Sequence, residues 1–294
     1  MKALIIAEHA GAAAELAAGA RTMADEVVAI SFGTPFECGA DKVLNITVPE
    51  GLALDAAADT VNAAFDTERP AIVLVEAARH MKAIAGSLAF HAGTSVITDV
   101  MAFEEVGAKS MYFGGIAERV QKAAGDVAIY TVGTGVFEAA AAAANGCVAD
   151  QEWVAPARPV KVVSSKAIEK SGVDLFKADV VVAAGRGFAE EAQLGLANDL
   201  CDKLGAGLAC SRPLTEGVNW LPTERYVGVS GLMLTPKVYI AVGISGQMQH
   251  MVGCNRSGAL FAINKDKNAP IFKQCDFGLV GDLKDVLPAL TAAL

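Results

Sequence analysis

Residues 239–266, YIAVGISGQMQHMVGCNRSGALFAINKD, hold the densest concentration of chemistry in the chain. An apolar run stops at Gly243. Ser245 and Gly246 follow, then Gln247, Met248, Gln249 and His250. Glycines let a backbone approach a ligand closely, and a helix starting there leaves amides without internal acceptors, which suits an anion. A second apolar run ends at Asn264, Lys265 and Asp266. Cations follow other apolar runs: Arg186 between Gly185 and Gly187, and Arg212 in Ser211-Arg212-Pro213. A guanidinium stays charged, has flat faces and offers five donors, so it suits a phosphate or an electron-rich planar ring. The pattern Val-Gly-[Val/Ile]-Ser-Gly occurs at 227–231 and again at 242–246, setting Ser230 and Ser245 in equivalent turns. Plainer roles exist for each: a surface ion pair for either Arg, a turn cap for Asn264, a structural ring for His250.

Several chemistries are disfavoured. Gly185-Arg186-Gly187-Phe188-Ala189-Glu190 begins like the dinucleotide fingerprint but ends on Glu190, where close helix packing needs a small residue. Asn264-Lys265-Asp266-Lys267 lacks the final Asp of a guanine-reading motif, and no phosphate-binding Gly-x-x-x-x-Gly-Lys-[Ser/Thr] loop occurs. The other histidines, His9, His80 and His91, stand apart, and no Ser–His–acid or Cys–His grouping suggests a nucleophile. No catalytic residue and no metal site is therefore expected. The six cysteines form no Cys-x-x-Cys pair and read as reduced thiols of a cytoplasmic protein.

Net charge is −9: residues 1–159 carry 10 Lys and Arg against 20 Asp and Glu, and residues 160–294 carry 14 against 13. An acidic first half argues against nucleic acid. No apolar run reaches the roughly 20 residues of a membrane span, and MKALIIAEHAG reads as a first core strand rather than a signal peptide.

Elements must position these residues. The first half alternates strand runs (Ala3–Ala7, Val27–Ser31, Ala71–Val75, Ser95–Asp99, Val127–Val132) with helical stretches (Ala12–Ala24, Leu54–Phe65, Arg79–His91, Glu138–Ala144). Residues 151–165, with Pro156 and Pro159, read as a linker. The second half restarts with strands at Asp179–Ala184, Leu208–Ser211, Tyr226–Val229, Val238–Val242 and Leu260–Asn264, and helices at Ala189–Leu204 and Leu283–Leu294. Buried strands alternating with helices imply two Rossmann-like three-layer α/β/α domains with mainly parallel sheets, at 1–155 and 156–294. Ligands of such sheets bind beyond the carboxyl ends of the strands, where the polar residues above lie.

Six ordered segments, GRG (185–187), ACSRP (209–213), RYVGVSG (225–231), YIAVGISGQMQHMVG (239–253), FAINKDKNAPIF (261–272) and DFGLVGDL (276–283), resemble the FAD-binding domain of the electron-transfer flavoprotein alpha subunit. SVITDV, MYFGGIA and TVGTGVFEA extend the resemblance loosely through the first half. It implies FAD on residues 156–294 and a β subunit as heterodimer partner, with residues 1–155 facing that partner. It also implies electrons shuttled between a flavin dehydrogenase and a quinone- or ferredoxin-linked acceptor, with bifurcation as a variant. By the resemblance, Arg186 and Ser211 contact the dinucleotide part, and Arg212 lies against the isoalloxazine. Val227, Gly228, Val229 and Ser230 wrap the ring, with the Ser230 hydroxyl near N5. Ser245, Gly246, Gln247, Met248 and Gln249 supply helix-start amides, His250 lies near O2, and Asn264, Asp282 and Leu283 hold the adenosine end. Many members carry Gly-Gln-Thr-Gly where this chain has Gly228-Val229-Ser230-Gly231, so one polar contact is lost and a rotamer restraint goes with it. A non-redox nucleotide-binding regulatory module on the same fold, or an NAD-dependent enzyme, is the competing reading.

Overall fold

In the computed structural model, which describes residues 1–139, 144–166 and 172–294, short apolar runs form the centres of two mainly parallel sheets. The chain divides into two units, Met1–Tyr112 with Ala117–Lys166, and Phe113–Ile116 with Ala167–Leu294.

The first unit runs β1 (Lys2–Ile6), α1 (Ala10–Arg21), β2 (Glu26–Phe32), β3 (Lys42–Ile46), α2 (Ala58–Glu68), β4 (Ile72–Glu76), α3 (Arg79–His91), β5 (Val96–Glu104), β6 (Gly107–Tyr112), β7 (Ala117–Gln121), β8 (Ala128–Val132) and β9 (Cys147–Asp150). The sheet order is β7-β6-β5-β8-β4-β1-β2-β3-β9, parallel except for the antiparallel β5-β6-β7 end. Alternation assigns the two faces. Leu4 and Ile6 pack with Val61 of α2 and Ile84 of α3, whereas Ala3 and Ile5 pack beneath Leu16 and Ala17 of α1. Strands covered on both faces are apolar at every position, so they stand out as unbroken runs.

Glu68 ends α2 with its carboxylate almost wholly buried, 2.7 Å from Lys2 Nζ and 2.5 Å from Lys42 Nζ. Burial works against its charge, but the two ammonium groups prevail and hold its pKa below the ordinary 4.5. A carboxyl with a depressed folded pKa stabilises fully above its unfolded value and loses that contribution as pH falls through the folded one. Glu68→Gln should cost about 1.5–3 kcal/mol at neutral pH, the range for hydrogen bonds to charged groups. In urea titrations the gap to wild type should close as pH drops below 4.5. A pH-independent gap would show that packing, not charge, is involved.

The second unit runs β10 (Val180–Ala184), α4 (Leu194–Leu204), β11 (Gly207–Cys210), β12 (Val238–Val242), α5 (Met248–Met251), β13 (Ala259–Asn264), β14 (Phe277–Val280) and α6 (Leu283–Ala293). All five strands are parallel in the order β11-β10-β12-β13-β14. The order reverses between β10 and β12, and α/β sheets bind ligands beyond the strand ends at such a switch point. α4 and α6 cover one face, around Leu200, Ile240 and Leu287. The other face carries the single turn of α5 and irregular segments that contribute Val227, Leu234 and Ile271.

Several expected elements differ in the structure. Tyr226–Val229 is not a strand of the sheet: it makes only isolated bridges, Tyr226 to Cys210 and Val227 to Leu232, because Gly228 turns the chain at φ 144°. The helix expected at Ala189–Leu204 becomes a 3₁₀ turn at Glu191–Gln193 followed by α4, with Gln193 Oε1 accepting from the Ala189 amide. Leu54–Phe65 likewise opens as a 3₁₀ turn at Leu54–Ala57 before α2. Of the helix expected at Glu138–Ala144, residues 140–143 lie outside the described residues. The segment expected as linker, 151–165, is bound to the first unit over much of its length: Val154 N donates to Thr60 Oγ1, and 160–162 bond to 51–53. No helix among the described residues is long and apolar enough to cross a membrane.

Candidate functional site

The glycine turns after β10 and β12 interlock at the switch point. Gly185 N donates to Val242 O at 2.8 Å, and Gly187 N donates to Gly243 O at 2.9 Å. A Cβ on Gly187 would lie 2.6 Å from Gly243 Cα, and one on Gly243, at φ +64°, would lie 2.8 Å from Gly187 Cα. Neither contact can be relieved by a side chain moving, since both partners are backbone. The glycines at 185 and 187 therefore serve strand-to-strand packing, and Arg186 is carried outward as a consequence.

A cavity of about 650 Å³ opens there, lined by Arg186, Ser211, Arg212, Val229, Ser230, Ser245, Gln247, Gln249, His250 and Asn264 of the expected residues. That is within the range of about 300–1,000 Å³ usual for ligand clefts. A smaller pocket of about 110 Å³ shares Gly187, Gly243 and Asn264 with it and continues to Asp282 and Leu283. Val227, Gly228, Gly246 and Met248 are not in either lining; Val227 is wholly buried. The two glycines act as packing points instead: a Cβ at Gly228 would meet Gln249 O at 2.5 Å, and one at Gly246 would meet Ile271 N at 2.4 Å.

The lining residues outside the expected set are Tyr226, Pro213, Ile244, Asp266, Ala269 and Pro270, together with the interlocked Gly187 and Gly243. Tyr226 was visible beside the Val-Gly-Val-Ser-Gly pattern, yet nothing in its spacing marks its role. Its hydroxyl lies 3.2 Å from Ser230 Oγ, a restraint on the serine rotor that takes the place of a threonine methyl.

Electrostatics follow from burial. Arg186 is exposed and makes no ion pair among the described residues. Arg212 is also exposed, and its Nε donates to Glu216 Oε2 at 2.6 Å, which offsets part of its charge. Asn264 Nδ2 donates to Ile244 O and its Oδ1 accepts from Asp266 N, so its side chain is already engaged. Asp282 caps α6 by accepting from Lys284 N at 3.0 Å. His250 is buried, and burial pushes its pKa down to about 4. The ring is therefore neutral at pH 7 and acts through hydrogen bonding rather than charge.

The helix expected after Gly246 is only the four residues of α5, so its dipole is small. What remains are the amides of Gln247, Met248 and Gln249, which find no acceptor among the described residues. With them stands His250 Nδ1, buried and without a hydrogen-bond partner of normal geometry. Three open amides, two arginines and a glycine cradle that admits no Cβ fit a large, flat, anionic ligand. Among the described residues, no group of three or more His, Cys, Asp or Glu is placed to hold a metal ion.

A parallel sheet with this switch-point cleft has the layout of a ligand-binding α/β domain, and comparison with known proteins names the class. The electron transfer flavoprotein domain matches residues 3–158, and the electron transfer flavoprotein FAD-binding domain matches residues 174–255. This chain belongs to the electron transfer flavoprotein family, as an alpha subunit. Among individual proteins it is similar to Protein FixB of Escherichia coli O7:K1 (strain IAI39 / ExPEC) and of Escherichia coli strain K12 / DH10B. Each is 44% identical over 229 residues, covering 76% of this chain and 73% of the relative. The cofactor of this domain is FAD.

Proposed function

We propose that this chain is the FAD-holding half of an αβ electron carrier that takes electrons from a flavin dehydrogenase and passes them to a quinone- or ferredoxin-linked acceptor. One observation carries the reading: Arg186, Arg212, three serines and a neutral buried histidine converge on one switch-point cavity that has no paired acid and base. Such a site binds and tunes a cofactor without transforming a substrate.

Bound FAD supplies the electron-accepting ring, and the chain supplies position and field. Arg186 and Ser211 hold the dinucleotide part. Arg212 sets a positive charge beside the ring, and the Gln247–Gln249 amides add donors where negative charge collects on reduction. Ser230, steadied by Tyr226, offers a hydroxyl beside Val229, with Val227 and Gly228 packed behind that wall. Gly246 and Met248 hold the turn that carries Ser245 and His250. Asn264, Asp282 and Leu283 receive the adenosine end in the smaller pocket. Exposed apolar side chains in both units support a β subunit as the partner: Val106, Ile116 and Val120 in the β6–β7 region, Phe277, Leu279 and Val280 along β14.

Co-expression with the family's β subunit should give a 1:1 complex whose flavin is reduced by a dehydrogenase and reoxidised by a second acceptor. A complex that holds nucleotide but never cycles electrons would instead favour a regulatory module. Within that complex, Arg212→Ala should make the flavin harder to reduce, because a cation beside the reduced ring is lost. Glu216→Gln should make it easier, because Arg212 loses its counter-charge. Redox titration reads both; equal potentials in all three proteins would remove Arg212 from the site.

A further inference from the structure

We propose that Tyr239 is a positioning residue that holds His250, which lines the cofactor cavity, as its Nδ1–H tautomer. The consequence rests on the flavin reading above; the tautomer itself does not. Tyr239 lies in β12, wholly buried on the face that α5 covers. Its hydroxyl lies 3.0 Å from His250 Nε2. The rings are tilted by 58° with centroids 6.2 Å apart, so the contact runs through the hydroxyl rather than through stacking.

The direction of that hydrogen bond follows from the neighbours. Burial keeps the Tyr239 phenol protonated, so it has one hydrogen to give. Two acceptors compete for it, His250 Nε2 and the Cys254 sulfur. Sulfur is the weaker acceptor, and the Cys254 thiol is itself turned to the His250 carbonyl oxygen at 3.9 Å. The hydroxyl therefore donates to Nε2.

The other ring nitrogen points the same way. Nδ1 is buried, and the backbone group acting on the ring is the Val227 carbonyl. A protonated Nδ1 turns a hydrogen toward that carbonyl. An unprotonated one sets a lone pair against it, with no donor to repay the lost water. Both nitrogens thus select Nδ1–H. The ring's lone pair is capped inside the core by Tyr239, and its one hydrogen is turned to the Val227 carbonyl. Because His250 lines the cavity, its tautomer fixes the direction of the imidazole dipole beside a bound flavin.

The test uses the full chain in complex with an unlabelled β subunit, with ¹⁵N-histidine in this chain alone. Only four histidines contribute, and His250→Gln assigns the fourth. In wild type the His250 nitrogens should appear as a protonated Nδ1 and an unprotonated Nε2. In Tyr239→Phe, which keeps the ring volume, the two resonances should move toward each other as the second tautomer gains population, and the potential of bound FAD should shift. A wild-type ring protonated at Nε2, or a Tyr239→Phe spectrum unchanged from wild type, overturns the proposal. A changed tautomer with an unchanged potential overturns its functional half. Should Tyr239→Phe not fold, the wild-type nitrogens still decide. A complex without FAD but with Nδ1–H would contradict the flavin reading and leave the positioning role standing.

Discussion

Gly243→Ala should strip FAD from the complex and lower stability by about 2–4 kcal/mol, combining a left-handed residue with an overpacked contact. Gly243 has φ +64°, and its new methyl would strike Gly187 Cα at 2.8 Å and Gly187 N at 3.1 Å. The β10 and β12 turns can then no longer interlock, and the cavity wall that both share moves with them. Gly205→Ala is the control. It has nearly the same backbone angle, φ +61°, at the C-cap of α4, with nothing within 4 Å of the new methyl. It should lose only the backbone term, about 1–2 kcal/mol, and keep its flavin. Thermal melts and flavin absorbance read both variants. Equal flavin loss in the two would mean that general destabilisation, not the interlock, empties the site.

The second large effect concerns the partner. Expressed alone, the chain should retain little FAD and self-associate; with its β subunit it should be monodisperse and yellow. β14 is exposed along its whole length at the edge of the second sheet, with Phe277 stacked on Phe261 at 4.8 Å between centroids. Beside it runs an apolar groove of about 740 Å³ lined by Ile240, Phe261, Leu279, Val286, Leu290 and Leu294. This groove is larger than the switch-point cavity but has almost no polar groups to orient a cofactor, so it suits protein rather than flavin. An open apolar edge strand invites unwanted pairing unless something covers it. Size-exclusion profiles and absorbance of the two preparations test this. A monomeric chain that holds stoichiometric FAD alone would contradict it.

What could be read in the sequence divides along physical lines. β1, β4, β10 and β12 are buried on both faces, so their apolar runs stand out, and α3 keeps the bounds its periodicity gave, Arg79–His91. β3 hides because Asn45 interrupts it; in the fold Asn45 is buried and accepts from Ser31 Oγ. Burial alternates along β6 and β7, as at an antiparallel end with an exposed face, but GAKSMY and AERVQ do not alternate apolar with polar residues, and β14 is too exposed to announce a core strand. In the site, the strand ends that converge were legible because ligands collect beyond the carboxyl ends of such strands. The division of labour among the glycines was not. Gly228 and Gly246 look like ligand glycines in the repeated pattern, yet each faces backbone of another segment. Tyr226 and Tyr239 were equally silent, since their roles depend on which hydroxyl reaches which side chain after the segments have packed.

The most direct measurement is the identity and amount of what the complex carries. The chain and its β subunit, purified together from cells with ample FAD, are denatured, and the released small molecules are identified by mass spectrometry and quantified by absorbance. The account predicts FAD at one molecule per copy of this chain's site, lost together with the switch-point interlock in Gly243→Ala and kept in Gly205→Ala. A folded complex that releases no flavin, or releases only a non-redox nucleotide, would contradict it.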